Sequence, residues 1–161
     1  MSQQNVEVVK AVQPTGVDMV ALFQAPDMAV SELGIDVTAF EDDFETEFIA
    51  TAGSIRPGSR GLQGFAEAWT DWLEPWHSYH IEVEDHLDAG EEVVSLVLVR
   101  AQTVRGSVPV EHKPAAIWSV RGGKVTRVRF YLEREEALDA AGVSVKPDRS
   151  RARGRSDTAG A

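Results

Sequence analysis

Four histidines, His77, His80, His86 and His112, are the side chains here that can exchange a proton near neutral pH. The chain has no cysteine, so thiol chemistry and disulfides are excluded. His112 is the histidine to weigh. As a general acid or base it would work beside a donor such as Tyr131 or Thr46, the groups converging within about 3 Å of one ligand atom. The alternative is a structural or rim histidine, since it follows Glu111 close to a strand end. Tyr131 can donate to a carbonyl, but a tyrosine on a strand equally serves packing. His77 reads as a cap at a helix C-terminus, His80 and His86 as exposed strand residues, and Asp71 as a solvated carboxylate. Scattered histidines make a dedicated zinc site a poor reading, and no metal or cofactor is expected.

These groups must be positioned by strands and a few helices. Pro114 to Val120 and Val125 to Leu132 are β-rich runs around Gly122-Gly123, a pair that accepts positive φ and so predicts a tight hairpin. EREEALDAAG then spells a short helix, acidic at its front and stopped by Gly142. Upstream, Asn5 to Gln13 predicts a short helix ended by Pro14, and Thr15 the N-cap of a second helix from Val17 to Gln24. A third opens at Pro26-Asp27 and runs through Leu33 to Gly34. Val37 to Ala50 holds the first strand, with Phe44, Thr46 and Phe48 on one face and Glu45 and Glu47 on the other. Gly53 to Gly64, rich in glycine, reads as a loop. Leu62 to Trp76 is the strongest helix, with Leu62, Phe65, Trp69, Trp72, Leu73 and Trp76 on one apolar stripe. Tyr79 to Leu87 and Val93 to Val104 are long strands joined at Asp88-Ala89-Gly90, the second apolar on both faces at its start and therefore central. Arg100 and Gln102, where that strand turns polar, suit a pocket mouth or a dimer face.

At 161 residues, 43% of them apolar, the chain suits one domain with a real core. A net charge of -10 argues against nucleic acid or an anionic membrane as partner. No apolar run approaches the roughly 20 residues of a membrane helix, and the N-terminus lacks a signal-peptide core, so a cytoplasmic protein is expected. Residues 1–143 form the expected domain. Residues 144–161 carry Lys146, Arg149, Arg151, Arg153 and Arg155 against Asp148 and Asp157, with almost no large apolar residue, and read as a disordered basic tail.

The element order predicts an α+β cone, a curved, mostly antiparallel sheet wrapped around about three N-terminal and central helices. It resembles the NTF2-like superfamily. WTDWLEPWHSYHIEVEDHLDAGEEVV and VEHKPAAIWSVRGGKVTRVRFYLEREEALDAAG look like the helix-to-strand passage and closing hairpin of its SnoaL-like branch, named for polyketide cyclases. The resemblance implies a homodimer or similar assembly and a pocket between sheet and helices, but not one function, because this cone hosts cyclases, isomerases, dehydratases, epoxide hydrolases and binding proteins.

Relatives that hydrolyse epoxides carry an Arg and two Asp on inner strands; the matching positions here are Val97, Val99 and Phe130. Cyclase relatives place an Asp on the last strand, where this chain again has Phe130, and a slip of one residue would bring Arg129 or Tyr131 inward. No carboxylate, tyrosine and protonated-acid set of the ketosteroid-isomerase kind is visible. The same register turns Thr46, Phe48, His112, Pro114, Ala116 and Trp118 inward. With Trp69, Trp72, Val97, Val99 and Phe130 these would make a pocket for a planar hydrophobic molecule, polyketide-like or aromatic. Three readings compete: a protein binding such a molecule, a cyclase- or isomerase-like proton-transfer enzyme using His112, and a dimerisation or interaction module whose interior is filled by tryptophans.

Overall fold

The computed structural model describes residues 2–24, 36–50, 53–106 and 108–143. The helix expected from Pro26 and the basic tail over 144–161 lie outside the described residues. Helix α1 (Ser2–Val12) leads into a two-residue strand β1 (Val17–Asp18) and helix α2 (Met19–Gln24). Strand β2 (Phe40–Ala50) follows a 3-10 turn, and β3 (Gly53–Arg60) runs directly into α3 (Gly61–Leu73). Strands β4 (Trp76–Ala89), β5 (Glu92–Thr103), β6 (Val110–His112), β7 (Ala115–Arg121) and β8 (Lys124–Tyr131) precede the closing helix α4 (Arg134–Ala141).

The sheet has the order β1-β4-β5-β7-β8-β2-β3, with β6 also paired to β5. All pairings are antiparallel except β2 with β8, which is parallel. The two ends of β5 have different neighbours on one side: Glu92 to Leu96 pair with β7, and Val99 to Ala101 with β6. Irregularities in β2, β4 and β7 interrupt the ladders, the kind of local kink and extra twist that curves a sheet. The closing hairpin is as expected. Gly122 and Gly123 have φ of 60° and 80°, the left-handed pair that matches the strand twist, and Gly142 at φ 71° caps α4.

Alternation along the strands divides the buried residues between the two faces. On the inner face, Val6, Val9 and Val12 of α1 pack against Phe44, Trp118, Val125 and Val128. Met19 and Val20 of α2 and Trp69 and Leu73 of α3 join Phe48, Ile81, Val97 and Val99. Phe65 and Phe130 contact both groups and so join them into one interior. On the outer face α4 seats Ala137 among Val94, Leu96, Ala115, Ile117 and Tyr131.

The structure corrects several local expectations. The Gly53 to Gly64 stretch is not a loop: its first part is β3, and α3 begins at Gly61. Strand β3 is an edge of the sheet among the described residues. Helix α3 stops at Leu73, two residues before Pro75, and Trp76 starts β4; Leu62 in its first turn is 43% exposed. Asp18, not Thr15, caps α2: its Oδ1 accepts from Val20 N–H at 3.0 Å and from Tyr79 N–H at 3.0 Å, tying the helix to β4. The Thr15 hydroxyl instead accepts from Val83 N–H at 2.8 Å.

Thr46 is fully buried on the inner face of β2, and its hydroxyl has no hydrogen-bond partner among the described residues. Replacement Thr46→Val keeps the shape and removes the orphan, so it should stabilise the fold by roughly 1 kcal/mol. Urea unfolding would show a raised midpoint with an unchanged slope; a lowered midpoint would mean that the hydroxyl is satisfied in solution.

Candidate functional site

The candidate site is the interior between the concave sheet face and helices α1 to α3. Cross-strand pairs determine which side chains reach it, because residues directly opposite one another share a face. Phe48 pairs with Phe130, Ala116 with Phe130, Val128 with Trp118 and with Thr46, and Val93 with Trp118. Val97 pairs with Val83, and Val99 with Ile81 on one side and His112 on the other. The expected inward set thus shares one face of the sheet.

Aromatic rings dominate its centre. Phe130 stands 4.8 Å from Phe48, 5.2 Å from Trp69 and 6.0 Å from Trp118 between ring centroids. Trp72 stacks on Phe48 at 5.3 Å, and Trp69 meets Phe48 edge-on at 5.2 Å. The indole N–H groups of Trp69 and Trp118 are buried without a hydrogen-bond partner among the described residues.

The rings do not fill the interior. Among the described residues lie two adjoining cavities of about 50 Å³ and about 140 Å³. The smaller lies against β4, β5 and β7, lined by Trp72, Tyr79, Val97, Val99 and Ala116; the larger lies beneath α1, α2 and α3, lined by Met19, Phe23, Phe65 and Trp118. Gln13, Trp69, Ile81 and Phe130 line both. No Asp, Glu, His, Lys or Arg is among the described residues that line either one.

Six of the expected pocket residues, Phe48, Trp69, Trp72, Val97, Val99 and Phe130, therefore line a cavity, and Trp118 lines the larger one. Thr46 and His112 do not. His112 is half-buried on the short strand β6, its ring 6.2 Å from the Tyr79 ring. Tyr131 touches the smaller cavity, but its ring belongs to the outer cluster beneath α4 and its hydroxyl accepts from Arg129 Nη1 at 3.2 Å. His112 and Tyr131 thus lie on opposite sides of the sheet and do not converge on one ligand atom. Arg129 is on the outer side too, paired with Glu92 at 2.8 Å. Arg127 with Glu47 at 3.2 Å and Arg60 with Glu45 at 3.0 Å continue that row of ion pairs.

The phenol that does reach the interior is Tyr79, which periodicity marked only as the start of a strand. Burial pushes its pKa up to about 12. The buried Trp72 N–H has no partner in hydrogen-bond geometry, although it lies near enough to the Tyr79 oxygen to offset part of that rise. Sequence reading also passed over a polar cluster at the junction of the cavities. The hydroxyl of fully buried Ser95 donates to Gln13 Oε1 at 2.7 Å, and His86 Nε2 approaches the same oxygen at 3.3 Å. His86 is accordingly half-buried rather than exposed, whereas His77 is exposed on β4 and α3 ends with Glu74 as its cap. Gln13 is 82 and 73 residues from these partners in the chain, so no local pattern announces the cluster.

Among the described residues no group of His, Asp and Glu could hold a metal ion, and no helix is long and apolar enough to cross a membrane.

Residues 18–128 match the family of the SnoaL-like domain. A SnoaL-like protein structure from Jannaschia sp. CCS1 is similar over 89% of this chain and 95% of its own, with 16% identity and a TM-score of 0.59. TerC co-crystallised with polyporic acid is similar over 86% of this chain and 98% of its own, with 18% identity and a TM-score of 0.55. A protein with a ketosteroid isomerase-like fold from Catenulispora acidiphila, in complex with trimethylamine, is similar over 86% of this chain and 94% of its own, with 16% identity and a TM-score of 0.53. At these identities the likeness is one of fold. Among curated proteins, none matches the sequence.

Burial lowers the pKa of both His86 and His112 below the usual 6.5. Lys10 adds to this at His86 while Asp85 and Glu7 oppose it; Glu133 opposes it at His112. Both histidines are neutral in the folded and unfolded chain above pH 6.5, and on acidification the unfolded chain takes up protons first. Their contribution is therefore complete above pH 6.5 and is lost as pH falls through the lower folded values. Unfolding free energies measured across this range should fall with acidification, and a His86→Gln, His112→Gln double variant should have a shallower slope. Equal slopes would count against the histidines.

Proposed function

The chain belongs to the SnoaL-like domain family and has the NTF2-like fold, and on that premise we propose that it binds a small, ring-shaped apolar molecule inside the cone. One observation carries this reading: two adjoining cavities whose described walls hold aromatic and aliphatic groups and no ionisable acid or base other than the phenols of Tyr79 and Tyr131. Apolar cavities that water occupies poorly offer a ligand the full gain of desolvation. An engineered cavity of about 150 Å³ in another protein stays dry and binds benzene. The larger cavity here, about 140 Å³, is of that size.

Size also sets the ligand class. Drug-sized ligands occupy roughly 300–1,000 Å³, so a polycyclic molecule would need Phe130 or Trp69 to swing aside, whereas a single ring needs no rearrangement. Proton transfer is less well supported than binding. Val97, Val99 and Phe130 occupy the inward positions where catalytic relatives are expected to carry charge. His112 does not line either cavity, and its proposed partner Tyr131 lies across the sheet.

The test is titration of the protein with benzene, toluene and indole, followed by thermal unfolding and tryptophan fluorescence. Trp69 and Trp118 line the larger cavity, so occupancy should perturb emission, and saturation should raise Tm by roughly 5 °C. No change in either signal with any of the three would refute an accessible apolar site.

A further inference from the structure

We infer that Gln13 is the specificity-determining residue of this interior, and that it selects a ring compound carrying a hydrogen-bond acceptor, such as a ketone oxygen, over a plain hydrocarbon. This rests on the binding reading given above. Gln13 sits immediately after α1, its backbone N–H held by Val9 C=O at 3.0 Å. It is the only non-aromatic polar side chain among the described residues lining the two cavities, and it lines both.

Its amide is oriented by two contacts to one atom. Ser95 Oγ–H donates to Oε1 at 2.7 Å, and His86 reaches the same oxygen through Nε2 at 3.3 Å. An amide has one acceptor atom and two N–H donors. With the acceptor engaged, what Gln13 has left to offer is Nε2–H₂, which makes no hydrogen bond among the described residues and belongs to a half-buried side chain. Ser95 is a positioning residue in this arrangement: it is fully buried and its hydroxyl donates the bond that fixes the amide.

Gln13 also borders an outer depression with Lys10, Asp85 and His86, where water is the competing partner for the free N–H groups. An acceptor on a ring seated at the junction of the cavities would take one of these donors in surroundings with few other polar groups. There the alternative, an unpaired ketone oxygen, is costly. A hydrocarbon of the same shape gains nothing from Gln13.

Acetophenone and isopropylbenzene form a matched pair of probes, close in shape and differing in the acceptor. Their dissociation constants should be measured by tryptophan fluorescence for the full chain and for Gln13→Leu. The variant should lose roughly 2- to 10-fold in affinity for acetophenone, the worth of one hydrogen bond, and should not weaken for isopropylbenzene. Because Gln13→Leu leaves the Ser95 hydroxyl without its acceptor, Gln13→Leu with Ser95→Ala provides a second background from which that hydroxyl is absent. Ser95→Ala alone should reduce the acetophenone preference while leaving isopropylbenzene binding intact. If both probes bind and the two Gln13 variants keep the wild-type ratio of affinities, Gln13 does not select the ligand. If neither probe binds the wild-type chain, the binding reading fails and takes this inference with it.

Discussion

The interior depends on one pairing, the parallel ladder between β2 and β8 that sets Phe48 beside Phe130. These strands are far apart in the chain, and their union brings the open end of the sheet back against the hairpin of β7 and β8. Because side chains alternate across a strand, this register settles at once that Thr46, Phe48, Val128 and Phe130 face the helices and that Glu45, Glu47, Arg127 and Arg129 face outward. A shift of one residue would exchange an aromatic core for a row of ion pairs. The energetic difference between those arrangements is large, which is why the register is well specified.

Phe130 shows how the same constraint acts on chemistry. The position is central in the interior, in ring contact with Phe48, Phe65, Trp69 and Trp118. A carboxylate placed there would be surrounded by apolar groups and would have its pKa raised, a useful property in an acid-base catalyst and a cost to folding. Phenylalanine removes both. With Trp69 it lines both small cavities, so this side chain also limits what size of molecule fits.

Some polar groups of this interior have a partner that holds them, and others do not. The Ser95 hydroxyl has its acceptor in Gln13 Oε1, and Asp18 joins α2 to β4 through two backbone N–H groups. Thr46 and the indoles of Trp69 and Trp118 have no such partners among the described residues. Their side chains are retained where shape and apolar area outweigh one unmade hydrogen bond, since burying an indole contributes several times the cost of a single unpaired N–H.

Much of the fold was legible in the chain. The Gly122-Gly123 hairpin, the acidic start and glycine stop of α4, the tryptophan stripe of α3 and the two long strands β4 and β5 follow from local rules of φ, capping and periodicity. These rules act over a few residues and need no knowledge of the rest of the molecule. The register that the family resemblance implies also put Phe48, Val97, Val99, Trp118 and Phe130 on the inner face, where they line the cavities. Tertiary structure decided the remainder. It turned a glycine-rich stretch into edge strand β3, put His112 at the margin and Tyr131 under α4, and brought Tyr79 to the cavity wall. It also joined Gln13 to Ser95 and His86 across more than seventy residues of chain. Such contacts arise from sheet register and from how α1 lies on the sheet, quantities set by the packing of the whole chain, so no single segment of the sequence encodes them.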